Sequence, residues 1–234
     1  MDIWNNEKGL DYSSLMSRRI RRILLICNSY DSYSLEEDGR IEAQITHEYS
    51  ELNLSNPPSI TRVESTRDAL ALADELECFD LVITMYNVGE IDVFDFSKMM
   101  KERCPQTPIV LLTNFSKEIY NRIEESDKSS IDYVFCWNNS TDLIIAIIKL
   151  IEDKMNADHD ILEVGVQTIL LVEDSIRYYS TYLPAIYKLV LQQNLESVRD
   201  ALNEQQQIMR KRARPKILMA TNYTDAVAMY ERYK

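Results

Sequence analysis

Short apolar runs alternate with amphipathic stretches over the first two thirds of the chain. Each run is too short for a helix, and residues 23–26 are apolar without interruption, as in a strand that is buried on both faces. The runs predict five strands, at residues 23–26, 59–64, 80–85, 108–113 and 132–136.

Residues with helical spacing lie between these strands. Ser34 and Glu37 have the spacing of a capping box, and the apolar positions that follow recur at helical spacing as far as Pro57. Strands that alternate with helices form βαβ units with right-handed crossovers. We therefore expect an α/β fold with a doubly wound, five-stranded parallel sheet. The other predicted helices are at 66–76, 93–103, 116–126 and after Ser140.

The helix after Ser140 is more apolar than a single buried stripe requires. One face carries Ile144, Ile147, Ile148 and Ile151, while further apolar side chains lie off that face, at Leu143, Ile145 and Leu150. Two interpretations stay open: a wide core face, or a contact with a second domain or another copy of the chain.

The strand and helix pattern restarts after residue 160. Residues 168–172 and 216–220 predict strands, and 221–234 predict a helix. Between the two strands, only Pro184 interrupts helical residues from 177 to 212, which as one rod would measure roughly 50 Å. Such a helix would pack on a partner or fold back at residues 203–207, because it carries a short coiled-coil seam at Leu191, Leu195, Val198, Leu202 and Met209.

A seven-residue sequence motif occurs twice in the chain, and the two copies differ in charge. ILLICNS, which begins at Ile23, recurs 146 positions later as ILLVEDS. The second copy carries Glu173 and Asp174 where the first has Cys27 and Asn28. The two units therefore differ where each strand ends.

The acidic pair of the second copy predicts a cation site. Ligands of parallel α/β sheets lie beyond the carboxyl ends of the strands, and adjacent carboxylates suit a hard cation such as Mg²⁺ that keeps most of its waters. The alternative is a helix cap made by Asp174 or Ser175.

Five β/α alternations and a strand that ends in an acidic pair together resemble the response-regulator receiver family, the CheY-like domains with a flavodoxin-like sheet. The resemblance implies Mg²⁺ on the acidic pair, an acceptor aspartate after strand three, a Thr or Ser after strand four and a Lys after strand five. It extends over residues 20–155, and over the second unit from 167 onward. In the first unit the matching positions hold Cys27, Asn28, Met85, Thr113 and Cys136.

The first unit therefore lacks the groups that the chemistry of this family needs. A methionine thioether can neither attack phosphorus nor carry an acyl phosphate. Without a carboxylate or a lysine, the phosphoryl charge has neither a Mg²⁺ clamp nor a counter-charge. We expect a pseudo-receiver without a cofactor. In the second unit, Glu173 and Asp174 would bind Mg²⁺ only if residues downstream of Lys234 complete the site.

The leading hypothesis is a non-catalytic signal-transduction module, a pseudo-receiver that acts as a regulatory and docking domain ahead of a receiver and an output domain. Resemblance to longer bacterial proteins suggests a phosphoenolpyruvate-synthase-like output, of the pyruvate, phosphate dikinase type. Two alternatives stay open. The second unit could be a phosphoacceptor response regulator, served by a histidine kinase or a phosphotransfer protein, or the vacated pocket around Asn28, Met85 and Thr113 could bind a small neutral ligand.

These features divide the chain into four segments. We expect no enzymatic activity in them, and we expect protein partners or self-association through the helices at 143–151 and 191–209. The segments are an N-terminal arm at 1–19, a pseudo-receiver domain at 20–158, a linker at 159–166 and an incomplete second receiver at 167–234.

The composition of the chain excludes further classes of function and location. A net charge of −12 argues against nucleic-acid binding, despite basic runs at 18–22 and 210–214. Four cysteines without a CxxC pair predict a reduced protein without structural zinc. Because no apolar run approaches a membrane span and the N-terminus is polar and acidic, we expect a cytoplasmic protein without membrane contact.

Overall fold

A computed structural model describes most of the chain. Several predicted features lie outside the described residues: Asn28, the helix start at Ser34, the fold-back at 203–207 and the distal part of the coiled-coil seam. The described residues are 14–27, 41–51, 54, 56–75, 78–114, 117–137, 140–199 and 212–234.

Five parallel strands form the sheet of the first unit. Their order is β2-β1-β3-β4-β5, which confirms the doubly wound α/β prediction. The winding reverses between β1 and β3, so the carboxyl ends of these two strands flank the place where ligands bind in this fold. The strands are β1 (Arg22–Ile26), β2 (Ser59–Val63), β3 (Leu81–Met85), β4 (Ile109–Thr113) and β5 (Tyr133–Cys136).

Two helices of the first unit begin at residues whose side chains cap them. Ser65 Oγ accepts a hydrogen bond from the amide of Asp68 at 3.1 Å and donates one to its carboxylate at 2.7 Å, so it caps the helix that begins at Thr66. Asp92 caps the next helix by accepting from the Phe94 amide at 2.9 Å. The helices are α1 (Ile41–Glu51), α2 (Thr66–Glu75), α3 (Val93–Arg103), α4 (Lys117–Glu125) and α5 (Thr141–Ala157).

The second unit contains a two-stranded parallel sheet. Its strands are β6 (Thr168–Val172) and β7 (Lys216–Ala220), and its helices are α6 (Ile176–Arg199) and α7 (Tyr223–Tyr233). A π-helical segment, Asp158–Glu163, continues α5 toward β6. Most of the predicted linker at 159–166 is therefore helical, while the domain boundaries themselves remain a proposal.

Helix α5 is buried between the two units. Every residue from Leu143 to Asp153 is buried, and the helix packs on α6 and β7. The helix therefore contacts elements beyond the first unit, and its apolar residues also belong to the main core, while the assignment of those elements to a second domain remains a proposal. The predicted self-association through 143–151 is wrong, because the same chain already covers that surface.

A buried salt bridge crosses between the units. Arg214 binds Asp153 through both guanidinium nitrogens, at 2.7 and 2.9 Å. The same carboxylate accepts from the Tyr187 hydroxyl at 2.8 Å and from the Ile217 amide at 3.0 Å. A carboxylate removed from water needs such a full set of donors, so Asp153 fixes α6 and β7 against α5.

Further charges surround this salt bridge. Lys149 Nζ lies 2.8 Å from Glu152 Oε2, and Lys216 Nζ lies 2.7 Å from Asp160 Oδ2. All of these side chains are almost fully buried, and the three acidic residues balance the three basic ones. We call this set the inter-unit ion cluster; its members are Lys149, Glu152, Asp153, Asp160, Arg214 and Lys216.

Burial and neighbouring charges set the protonation of this cluster. Burial, with Asp153 beside it, raises the pKa of Tyr187 well above its ordinary value, so its hydroxyl keeps the proton that it donates. Burial alone would lower the pKa of Arg214, but Asp153 outweighs that effect and the pKa is raised. Burial, followed by the nearby Arg214, lowers the pKa of Lys216.

Residues 16–20 lie along the side of α5 that carries Glu152 of the inter-unit ion cluster. Backbone amides of Met16, Arg18 and Ile20 donate to side chains spaced about one helical turn apart, at Asp160, Asn156 and Glu152 respectively. Because alternate amides of the extended arm meet successive turns of the helix, residues 16–20 are held by their backbone rather than by their basic side chains.

Two of the four cysteines form a disulfide, which makes the prediction of a fully reduced chain wrong. Cys78 lies just before β3, and its sulfur is bonded to that of Cys104, the C-cap residue of α3. The two residues are far apart in sequence, but the α2–α3 contact brings them together at the amino-terminal edge of the sheet. Cys27 and Cys136 remain thiols. Within the described ranges, no helix is both long and apolar enough to cross a membrane.

Candidate functional site

The carboxyl edge of the first sheet brings the predicted site residues together. Ile26 pairs with Thr84, which places Cys27 level with Met85 across β1 and β3. Met85 pairs with Leu112, and the next residue of β4, Thr113, pairs with Cys136 of β5. The four described positions therefore follow the edge in register, as the resemblance implies.

Most of these side chains are buried in the core. Cys27, Met85 and Thr113 are each less than 5% exposed, and Cys136 is half-buried. The Thr113 hydroxyl donates to the carbonyl of Asn114 at 3.1 Å, so it already has a partner. Asn28, the fifth member of the predicted site, lies outside the described residues.

The chemistry of this edge does not match a phosphoacceptor. Thiol and thioether sulfur are soft ligands, whereas Mg²⁺ selects carboxylate, carbonyl and water oxygen. The carboxylates of Asp92 and Asp95 belong to the cap and the first turn of α3. A neutral, buried edge of this kind can pack, but it offers neither a nucleophile of the required type nor a cation site among its described members.

The acidic pair of the second unit lies at the carboxyl end of β6. Glu173 donates its amide to the Ala220 carbonyl at 3.1 Å, and its side chain accepts from the Ser175 amide at 3.0 Å. The Ser175 carbonyl accepts from the amides of Tyr178 and Tyr179 at 3.0 Å, so Ser175, one of the two residues that the sequence suggested, lies at the start of α6, and Glu173 binds its amide. One of the two carboxylates is thus engaged at the start of a helix.

Asp174 lies on the wall of a cleft between the two units. The cleft has a volume of about 730 Å³, and its wall includes Ser175 and Thr221 from the second unit and Tyr133 and Lys154 from the first. No group of three His, Cys, Asp or Glu side chains with the arrangement of a metal site occurs in the part of the chain that the structure describes. Two adjacent carboxylates fit Mg²⁺ in donor type but supply only part of a ligand set.

Sequence reasoning missed the inter-unit ion cluster. The signal was present, because Lys149, Glu152 and Asp153 interrupt an otherwise apolar helix, and Arg214 and Lys216 flank Pro215 just ahead of a buried strand. Opposite charges in two apolar segments indicate a buried ionic contact, since unpaired charges would not be buried. The pairing itself required the structure.

Comparison with known proteins gives distant structural similarities only. No protein-family model matches the sequence, and no curated protein matches it either. Among solved structures, an adenylate cyclase from Rhodopirellula baltica is similar, with 15% identity, a TM-score of 0.44, and 62% of this chain matched to 98% of that chain.

Two receiver structures are similar to the same extent. The receiver domain of a Francisella response regulator has 18% identity and a TM-score of 0.41, with 58% of this chain matched to 98% of that one. The response regulator TrrA from Thermotoga maritima, in complex with Mg²⁺-BeF, has 17% identity and a TM-score of 0.41, with 56% of this chain matched to 99% of that one.

The strand order defines the class of the first unit. A parallel sheet in the order β2-β1-β3-β4-β5, with a helix after each strand, is the flavodoxin-like arrangement of CheY-like receivers. The first unit has this receiver fold. Because the structural similarities are distant, the assignment rests on the topology of this chain.

Proposed function

We propose that the chain is a non-catalytic signal-transduction module in which the first unit is a pseudo-receiver that regulates and docks. The single observation that supports this function is the neutral carboxyl edge formed by Cys27, Met85 and Thr113, which are buried, and by Cys136, which is half-buried. A receiver sheet without a carboxylate at these places keeps a surface for protein contact and loses the aspartyl phosphate.

The experiment uses Mg²⁺ and beryllofluoride, which together mimic an aspartyl phosphate. We expect the amide resonances of Cys27, Met85 and Thr113 to stay unchanged when both are added to the chain. Saturable shifts at these three amides would show that the edge binds a phosphoryl mimic, and the pseudo-receiver proposal would be rejected.

A second candidate function is phosphoacceptance through the second unit. The observation that favours it is the position of Asp174, at the carboxyl end of β6 on the wall of the inter-unit cleft. Mg²⁺ would be held by Glu173 and Asp174 together with downstream residues. Incubation of the full-length protein with acetyl phosphate and Mg²⁺ separates the two functions, because absence of acid-labile phosphate would remove the second.

The small-ligand sensor has less support. The described members of the vacated pocket are packed, with Met85 and Thr113 buried, so they offer little surface to a neutral ligand.

The partners that we propose are proteins. They are a kinase or phosphotransfer protein for the second unit and an output domain for the whole chain. A phosphoenolpyruvate-synthase-like output and a cytoplasmic location remain proposals from the sequence, and the Cys78–Cys104 disulfide runs against the reduced state that is usual in that compartment.

A further inference from the structure

A serine of the N-terminal arm meets a histidine and an aspartate beside the end of α5. Ser14 belongs to the arm, whereas His159 and Asp160 belong to the π-helical segment that continues α5. Ser14 Oγ lies 3.2 Å from His159 Nε2, and His159 Nδ1 lies 2.9 Å from Asp160 Oδ1. The three side chains therefore form a continuous series of hydrogen bonds, from a hydroxyl through an imidazole to a carboxylate.

The carboxylate fixes the direction of these hydrogen bonds. Asp160 is fully buried, its two oxygens accept from the Met16 amide at 3.2 and 3.4 Å, and Lys216 Nζ lies 2.7 Å from Oδ2. A carboxylate that is held by such donors is itself an acceptor, so the imidazole carries its proton on Nδ1. Nε2 then presents its lone pair to Ser14, whose hydroxyl donates to it.

This order of groups is the one that activates a serine nucleophile. The imidazole nitrogen beside the hydroxyl acts as a general base, and the carboxylate at the other nitrogen orients the ring and stabilises the imidazolium that forms. Glu163 Oε2, 3.7 Å from His159 Nε2, places a second negative charge beside that imidazolium. A serine hydroxyl without such a base is a weak nucleophile.

The backbone next to the serine has an unusual conformation. Met16 has a φ of 51°, and it is the one non-glycine residue with a positive φ in the part of the chain that the structure describes. Such a residue is strained, and strain of this kind is found at functional sites where the surroundings hold it in place. Here Asp160 holds it, because the carboxylate that orients His159 also binds the Met16 amide.

The hydroxyl lies within reach of a small reagent. The Ser14–His159 hydrogen bond is only part-buried, and the His159 side chain is 37% exposed. We propose that Ser14 is a covalent modification site that accepts the acyl group of a small activated ester. Oγ attacks the carbonyl carbon and gives its proton to His159 Nε2. The bond to the leaving alkoxide then breaks, and His159 passes the proton to that alkoxide.

The modification is stoichiometric, with one acyl group on each chain. Turnover would also need donors that stabilise the oxyanion and a water molecule that removes the acyl group, and we assign no residue to these roles. The site is therefore compatible with a module without enzymatic activity, and it does not depend on the pseudo-receiver assignment. Because an acylated Oγ cannot donate to His159, modification would also remove one contact that holds the arm.

Labelling with an aryl ester tests the site. The chain is mixed with para-nitrophenyl acetate at neutral pH, and the acetylated residues are located over time by peptide mass mapping. We expect acetylation of Ser14. Ser17, an exposed serine of the same arm, is the internal control and should stay unlabelled. Ser14→Ala should remove the label from this peptide and leave acetylation elsewhere in the chain unchanged.

Substitution of the base separates activation of the serine from its exposure. His159→Gln keeps a hydrogen-bonding side chain but removes the general base, so it should slow acetylation of Ser14 about a hundredfold. His47→Gln, at an exposed histidine of α1, is the matched control and should leave the rate unchanged. Hydrogen exchange at the amides of Met16 and Arg18 shows whether the arm stays bound in each variant.

Asp160 is a positioning residue, and the tautomer of the imidazole reports its role. Nitrogen NMR of the His159 ring should show the proton on Nδ1 in the unchanged chain. In Asp160→Asn the side-chain amide can donate to Nδ1, so the other tautomer should gain population and acetylation of Ser14 should slow. If this variant fails to fold, because Asp160 belongs to the inter-unit ion cluster, the tautomer in the unchanged chain still tests the assignment.

Three outcomes would overturn the proposal. The first is an absence of acetylation at Ser14 while the arm stays bound. The second is equal acetylation of Ser14 and Ser17, which would indicate ordinary surface reactivity. The third is an unchanged rate in His159→Gln, which would make the Ser14–His159 hydrogen bond a structural contact of the arm alone.

Discussion

β1 and β6 share an apolar sequence but differ in their surroundings. β1 lies between β2 and β3, and the residue that follows it, Cys27, is fully buried. Among the described residues β6 has one neighbouring strand, and of the two acidic residues beyond it Glu173 is half-buried and Asp174 is exposed. The first unit has five strands and lacks the acidic pair, whereas the second unit has the acidic pair and two described strands. A five-stranded sheet and an acidic strand end are thus found in different units.

Removal of the Arg214 side chain should have the largest effect on the free energy of unfolding, because this side chain joins the two units through Asp153. Arg214→Met leaves the Asp153 carboxylate buried without its ionic partner, so we expect the free energy of unfolding in urea to fall by about 3–5 kcal/mol. The matched control is Arg67→Met, whose salt bridge with Glu90 is exposed and should matter little.

A double variant sharpens this result. Replacing Asp153 with Leu as well as Arg214 with Met removes both charges, and most of the lost stability should return. If Arg214→Met unfolds at the same urea concentration as the unchanged chain, the inter-unit ion cluster does not stabilise the contact between the two units.

The disulfide stabilises the first unit alone, since all four cysteines precede residue 137. Cys78 and Cys104 are separated by 26 positions, and opening a loop of that length should lower the free energy of unfolding by about 3.5 kcal/mol. The measurement is urea unfolding with and without a reductant. The variant with serine at both positions should no longer respond to the reductant; a full response there would mean that another thiol pair is involved.

The apolar periodicity predicted nearly all strands and helices of both units. Val93–Arg103 and Thr168–Val172 were predicted at their observed bounds, because buried runs and helix caps are local signals. The burial of α5 and the disulfide could not be predicted in the same way, because each depends on which distant segments meet. Of the site, the positions and their register were predictable from the resemblance, while the packing of Met85 and the hydrogen bond from the Ser175 amide to Glu173 required coordinates.

Two adjacent tyrosines provide a smaller test of how the second unit covers β5. The Tyr179 hydroxyl binds the Val134 carbonyl, and the neighbouring Tyr178 is 53% exposed. Tyr179→Phe leaves a buried carbonyl without its partner and should cost about 1–3 kcal/mol in the free energy of unfolding. Tyr178→Phe should change nothing; equal effects in the two variants would contradict the covered edge.

The smallest effect is expected at Asp158, which joins α7 to the π-helical segment through Arg232 and Tyr233. The hydrogen bond from Tyr233, followed by Arg232, lowers the pKa of Asp158 below its ordinary value. Its contribution is therefore present above the unfolded pKa and is lost as the pH falls through the folded one.

The Asp158→Asn variant checks that sign. It should be slightly less stable than the unchanged chain at neutral pH, and the difference should disappear on acidification, when thermal unfolding is followed across the pH range. Glu125→Gln, on the exposed end of α4, is the control. A difference that grows on acidification would contradict the pKa direction.

The central claim is that the first unit has the receiver fold without phosphoacceptor chemistry. Its most direct measurement is the chain incubated with acetyl phosphate and Mg²⁺, followed by peptide mapping of acid-labile phosphate. We expect none between residues 20 and 158. An acyl phosphate on any carboxylate in that range, Asp92 and Asp95 included, would contradict the claim.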